Sequence, residues 1–228
     1  MSDLLLCRVA LRRDAPVASL AGLLVPEEGG ARADASHRLL WALFSDGPDR
    51  RRDFLWREEG PGRFLALYAR PPNPLHDVFD IDPPKEFAPN LAAGDRLAFT
   101  LRANPVVARK QEGGVRGKRV DVVMHALHPV PREERRERRL ALVVEAGRGW
   151  LARQGERHGF QPDPDTAVDS YETVRIPRGP RASLEFGRLD FQGVLTVTDP
   201  PRFLAALACG FGRARAFGCG LMLIRRAR

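Results

Sequence analysis

Apolar residues in this chain fall in short clusters whose spacing shifts between about two and about 3.6 residues, the periods of strands and helices. Leu4–Leu11, with Cys7 and Val9, is an apolar run of the length of a buried first strand. Residues 12–33 are rich in Ala, Gly and Arg, contain Pro26 and Gly29-Gly30, and read mostly as a loop. Asp34 or Ser36 can cap a helix over Ser36–Phe44. Leu39, Leu40, Leu43 and Phe44 share one face of it, and His37 and Trp41, four apart, share the next. Asp46-Gly47-Pro48-Asp49 stops that helix. Asp53–Arg57 and Arg63–Arg70 then read as strands joined by the turn Glu58-Glu59-Gly60-Pro61-Gly62.

Residues 71–95 carry six prolines and read as a loop with one short strand near Val78–Ile81. Leu97–Arg102 alternates as a strand does, and residues 108–119 form a basic, glycine-containing loop. Glu133 to Trp150 is the longest helical stretch, with Leu140, Val143 and Val144 as its apolar stripe. Glu172–Ile176 and Ser183–Val197 read as strands around Pro177-Arg178-Gly179-Pro180-Arg181. Asp199-Pro200 is a strong helix start, a cap followed by proline at the first position, and Gly210 ends that helix after Cys209. Gly220–Ile224 closes the chain as a strand. The order is the split β-α-β-β-α-β pattern, once before residue 92 and once after it. The expected class is therefore α+β, two tandem ferredoxin-like domains over 1–92 and 93–228. The first repeat lacks an evident second helix.

Charge changes the picture. The chain of 228 residues has 37 basic side chains against 29 acidic ones, a formal charge of +8. Only Lys85, Lys110 and Lys118 are lysines; the rest are arginines. The excess lies in Arg109–Arg119, in Arg175–Arg188 and in Arg213–Arg228, whereas Arg132–Arg139 is nearly balanced and suits a solvated helix face. This points to a polyanionic partner, of which nucleic acid is the commonest. No apolar run approaches the roughly 18 residues of a membrane span, and Met1-Ser2-Asp3-Leu4 does not open a secretory signal. Cys7, Cys209 and Cys219 have no metal-type spacing and are expected to be free, buried thiols in a reducing cytoplasm.

Several chemistries lack their residues. No Gly-x-Ser-x-Gly elbow is present, and Gly113–Lys118 lacks both the spacer and the hydroxyl of a nucleotide P-loop. His125 and His128 have no third ligand nearby, so no metal or other cofactor is expected. Aromatic residues are 7% and form no base-stacking strand, so RNA binding would rest on arginine and backbone amides, favouring a structured, phosphate-rich target. The segment Gly210–Gly220 holds four glycines with Arg213 and Arg215 between them. It suits either close backbone approach to a phosphate or an ordinary helix-to-strand loop.

Five stretches together resemble the CasE family, the CRISPR-repeat endoribonucleases of the type I-E system. They are Ser36-His37-Arg38-Leu39-Leu40-Trp41, Arg52-Asp53-Phe54-Leu55-Trp56, Leu101-Arg102-Ala103-Asn104-Pro105, Phe191–Asp199 and Gly210–Leu221. The resemblance implies two ferredoxin-like domains and metal-independent cleavage of a CRISPR repeat hairpin in precursor crRNA. The 2′-hydroxyl attacks the adjoining phosphate, leaving a 2′,3′-cyclic phosphate and a 5′-hydroxyl. The product then enters the multisubunit type I-E surveillance complex. The family's catalytic histidine falls on His37. A tyrosine often stands three residues earlier in the family; here that position is Asp34, so the helper role has no assigned residue. By the same resemblance Arg175, Arg178 and Arg181 would contact the RNA stem. Arg109, Lys110, Lys118, Arg119 and the glycine-rich loop with Gly210, Gly212, Arg213 and Arg215 are further RNA-binding candidates. The alternative is a non-cleaving RNA-binding subunit on the same fold, with His37 structural.

Overall fold

The computed structural model describes residues 4–47, 49–109, 118–179 and 182–227. Strand β1 (Leu5–Leu11) is followed by two single-turn helices, α1 (Ala15–Ala18) and α2 (Ala21–Leu24), and by helix α3 (Gly29–Phe44). Strands β2 (Phe54–Gly60), β3 (Arg63–Tyr68), β4 (Phe79–Ile81) and β5 (Lys85–Glu86) complete the first sheet. Its order is β2-β3-β1-β4, all antiparallel, with β5 also paired to β1. The alternation Cys7, Val9, Leu11 turns one face of β1 onto α3. There Leu40, Leu43 and Phe44 pack with Phe54, Trp56, Phe64 and Tyr68.

The second sheet uses β6 (Arg96–Ala103), β9 (Phe160–Pro162), β10 (Ala167–Pro177), β11 (Ser183–Val197) and β12 (Met222–Arg226). The order β10-β11-β6-β12 repeats that of the first sheet, and β9 pairs with β11. Strand β6 alternates strictly, burying Leu97, Phe99, Leu101 and Ala103. Helices α5 (Arg135–His158) and α6 (Pro200–Cys209) cover that face through Trp150, Leu151, Phe203 and Leu207. Between β6 and α5 come a two-stranded hairpin, β7 (Val106–Arg109) with β8 (Lys118–Asp121), and helix α4 (Val122–Leu127). Both sheets thus have the ferredoxin-like strand order. Among the described residues no helix joins β3 to β4, so the first repeat has one helix where the pattern allows two. No helix among them is long and apolar enough to cross a membrane.

Three differences from the sequence-based expectations are local. Helix α3 begins at Gly29, so Asp34 and Ser36 are buried interior positions rather than caps. The cause is tertiary: Gly30 sits against the carbonyl of Arg175 on β10, where a Cβ would overlap it, and this contact anchors a first turn that has no side-chain cap. Helix α5 runs eight residues beyond Trp150, to the left-handed Gly159. Its buried stripe is Val143, Gly147, Trp150 and Leu151, whereas Leu140 is 75% exposed, two turns before the helix meets Val168, Leu189 and Phe191 at Gly147. All three cysteines are free; Cys7 and Cys219 are buried, but Cys209, the last residue of α6, is exposed.

The sheets meet on their other faces, where Leu55, Leu65 and Leu67 of the first enclose Leu221, just before β12. A second contact joins Ala33 of α3 to Val174 and Ile176 of β10, with Phe186 and Phe217 against it. It carries the N-terminal half of α3 against the long β10–β11 ribbon and the glycine-rich loop.

Candidate active site

His37 lies half-buried on α3 at that second contact. Its ring meets Phe217 edge-on at a centroid distance of 5.2 Å and lies 6.3 Å from Trp41. Phe217 belongs to a short 3-10 turn, Arg215–Phe217, inside the glycine-rich segment, and it stacks on Phe186 of β11. The histidine is therefore held between elements from both halves of the chain.

Arg52 approaches from the segment before β2. Its Nη2 is 3.1 Å from His37 Nδ1. The guanidinium also lies over Trp41 and Phe54, 5.3 and 4.6 Å from their centroids. Burial and the neighbouring Arg215 push the Arg52 pKa down to about 10, so it stays cationic at neutral pH. Burial is also the largest influence on His37, lowering its pKa below 6.5, and the Arg52 and Arg178 cations push the same way. Asp34 and the Ala216 carbonyl oppose them. A neutral ring at pH 7 can accept a proton, which a general base must do.

Asp34 is 6% exposed and has two cationic partners, Arg38 on the next turn and Arg178 from the β10–β11 turn, the latter at 3.4 Å. Arg178 also lies over Phe217 at 5.9 Å. The carboxylate in the tyrosine position of the family is thus neutralised by arginines and touches His37 only through the field it adds.

The sequence-derived candidates separate into groups. Arg178 and Arg215 join the His37 cluster; Arg215 also donates to the Cys209 carbonyl. Arg175 is exposed and pairs across the ribbon with Glu185 at 2.9 Å. Arg109, Lys118 and Arg119 are exposed on the β7–β8 hairpin. That hairpin is tied to β10 by the Tyr171 hydroxyl, which donates to Asp121 at 3.0 Å. Lys110 and Arg181 lie outside the described residues.

Gly210 and Gly212 adopt φ of 77° and 73°, and several of the loop's amides are bonded within the protein. The amides of Phe211, Arg213 and Gly220 donate to Gly220, Asn104 and Arg102 carbonyls. Arg213 itself is exposed. These glycines allow close packing against Leu55 and Trp150, and the charge facing solvent comes from the arginines. Arg52 was missed as a site residue. In the sequence it ends an arginine run and opens one of the family-like stretches, and neither says that it is the arginine that turns inward. Among the described residues no group of three or more His, Cys, Asp or Glu side chains is placed to hold a metal ion.

Comparison with known proteins decides the family. The model of the family described as "CRISPR associated protein" matches residues 4–226. This chain belongs to that CRISPR-associated family. A curated relative, the CRISPR-associated endoribonuclease Cse3 of Thermus thermophilus, is 34% identical, over 89% of this chain and 96% of its own. The CRISPR system Cascade subunit CasE of Escherichia coli is 28% identical, over 82% and 88%. The solved structure of Thermus thermophilus Cse3 bound to an RNA representing a pre-cleavage complex superposes with a TM-score of 0.66 at 27% identity, covering 98% of this chain and 99% of that one.

Proposed function

We propose that this CRISPR-associated protein is a metal-independent endoribonuclease that binds the repeat hairpin of precursor crRNA and cuts it through the adjoining 2′-hydroxyl. In this reading the 2′-oxygen bonds to phosphorus as the bond from phosphorus to the 5′-oxygen breaks. The 2′-hydroxyl proton passes to His37, and the departing 5′-oxygen takes a proton from solvent. The products are a 2′,3′-cyclic phosphate and a 5′-hydroxyl. Base catalysis of this kind is worth roughly 10²–10⁴-fold.

The observation that carries the reading is the placement of a neutral His37 beside Arg52 and Arg178, with Arg215 next to Arg52, three cations suited to a phosphate. The names of the relatives support it, as does the family. Arg175 and Arg178 on the ribbon, Arg109, Lys118 and Arg119 on the β7–β8 hairpin, and Arg213 and Arg215, held by Gly210 and Gly212, form the proposed RNA-binding set. Lys110 and Arg181 complete it by sequence. The Escherichia coli relative is named a Cascade subunit, and in this reading the present chain likewise joins a type I-E surveillance complex, in the cytoplasm. We divide the chain at 92/93, because the strands of one sheet end at Glu86 and those of the other start at Arg96.

Asp34 favours a second reading, a non-cleaving RNA-binding subunit. The deciding assay incubates the repeat hairpin encoded beside the gene with protein in EDTA. Cleavage by the wild type, lost in His37→Ala with hairpin affinity retained, supports the nuclease. Binding without cleavage by the wild type supports the alternative.

A further inference from the structure

One nitrogen of the His37 ring, Nδ1, is engaged by Arg52 in the free protein. A guanidinium has donors and no acceptor, so the 3.1 Å contact requires Nδ1 to supply its lone pair to Arg52. The neutral ring then carries its proton on Nε2. A general base needs a free lone pair within reach of the hydroxyl it deprotonates. In this arrangement the ring offers none.

The partner that caps Nδ1 is itself poised to be drawn off. Among the described residues no carboxylate lies within ion-pair distance of Arg52. Its other terminal nitrogen, Nη1, is buried without a hydrogen-bond partner. Arg215, a second cation, is close enough to disfavour its charge. The flat faces of Trp41 and Phe54 hold the guanidinium without competing for its N–H donors. A desolvated, unpaired guanidinium beside another arginine lacks an anion, and a phosphodiester supplies one in the geometry guanidinium prefers.

We propose that Arg52 is a positioning residue that latches His37 through Nδ1 in the free protein, and that a backbone phosphate of the RNA releases the latch by drawing the guanidinium away. The inference rests on the nuclease reading for the identity of the phosphate. It adds that the base is set free only where a phosphate has docked, which ties proton acceptance to a correctly seated strand. The groups facing His37 are Asp34 on its own helix, Arg52 before β2, Arg178 from the ribbon turn and the Ala216 carbonyl.

The test is ¹⁵N spectroscopy of the histidine ring in the full chain. Free wild type should show His37 with the proton on Nε2, a hydrogen-bonded Nδ1 and a titration midpoint below 6.5. Arg52→Met keeps the length between Trp41 and Phe54 but removes every donor. It should lose the Nδ1 hydrogen bond and raise the midpoint toward 6.5. Arg52→Lys, which restores a donor and the charge, should recover part of both effects, which repacking alone does not explain. Saturating wild type with a repeat hairpin carrying 2′-deoxyribose at the scissile position should uncap Nδ1. Identical tautomer and midpoint in wild type and Arg52→Met, or an Nδ1 still capped in the hairpin complex, would overturn the latch. Cleavage of the unmodified hairpin by wild type separates the two levels: if it is cut while the spectra contradict the latch, only the latch fails. If it is not cut, the nuclease reading fails, and the free-protein spectra still decide the Arg52–Nδ1 contact.

Discussion

Arg178 of the β10–β11 turn reaches back across the molecule to Asp34 of α3, its Nη1 3.4 Å from Oδ1. One buried carboxylate thereby fastens the ribbon of the second sheet to the helix that carries His37. Asp34→Asn removes the charge on which both Arg178 and Arg38 depend. Losing the Arg38 hydrogen bond to a buried charged group costs about 1.5–3 kcal/mol, and a urea unfolding series should show a fall of that order. The same change should push the His37 midpoint further down, since Asp34 raises it, and a ring titration by NMR reads that shift independently of stability.

His37 also makes folding stability depend on pH with a definite sign. Its folded pKa is lowered by burial and then by Arg52, so between that value and 6.5 the unfolded chain binds the proton that the folded chain refuses. The contribution is present above pH 6.5 and is lost as pH falls through the folded value. Urea midpoints for the wild type should therefore drop between pH 7.5 and pH 5 more than those of His37→Gln. Parallel pH curves for the two proteins would contradict the assignment.

Gly218 holds a φ of 76°, and a Cβ there would stand 2.9 Å from the Trp56 ring. Trp56 is fully buried and cannot give way. Gly218→Ala should cost about 1–2 kcal/mol for the left-handed backbone alone, with the clash added. Because the turn Arg215–Phe217 immediately precedes it, the variant should also move the Phe217 ring and shift the His37 resonances. A melting curve and one proton spectrum check both parts.

Neutralising Arg109, Lys118 and Arg119 together tests the basic hairpin. Each lost phosphate contact should reduce the slope of log K against log salt by about 0.7–0.9. Hairpin binding measured across a salt series should flatten accordingly, while the rate of cleavage from the bound state stays unchanged. An unaltered slope would place the RNA elsewhere.

Much of this was legible in the chain itself. Strand β11 was read with its observed limits, because an alternating run ended by a cap and a proline leaves few choices. The start of α3 was not legible, since nothing local marks it: the helix begins where Gly30 meets a carbonyl some 145 residues on in sequence. His37 was proposed through resemblance, and its helical spacing from Trp41 put both residues on one face of the helix. Arg52 was hidden for the same reason as the helix start. Which member of an arginine run turns inward depends on Trp41, Phe54 and Arg215, residues brought together only by folding. The glycine-rich segment was recognised as special, but its glycines serve packing on Leu55, Trp150 and Trp56 as much as any ligand.

The most direct test of the chemistry replaces one atom of the substrate. A repeat hairpin with 2′-deoxyribose at the scissile nucleotide is incubated with wild-type protein in EDTA, beside the all-ribose hairpin. The account predicts that the deoxy hairpin binds but is not cut, while the ribose hairpin yields a 2′,3′-cyclic phosphate and a 5′-hydroxyl. Cleavage of the deoxy hairpin at the same position would contradict it.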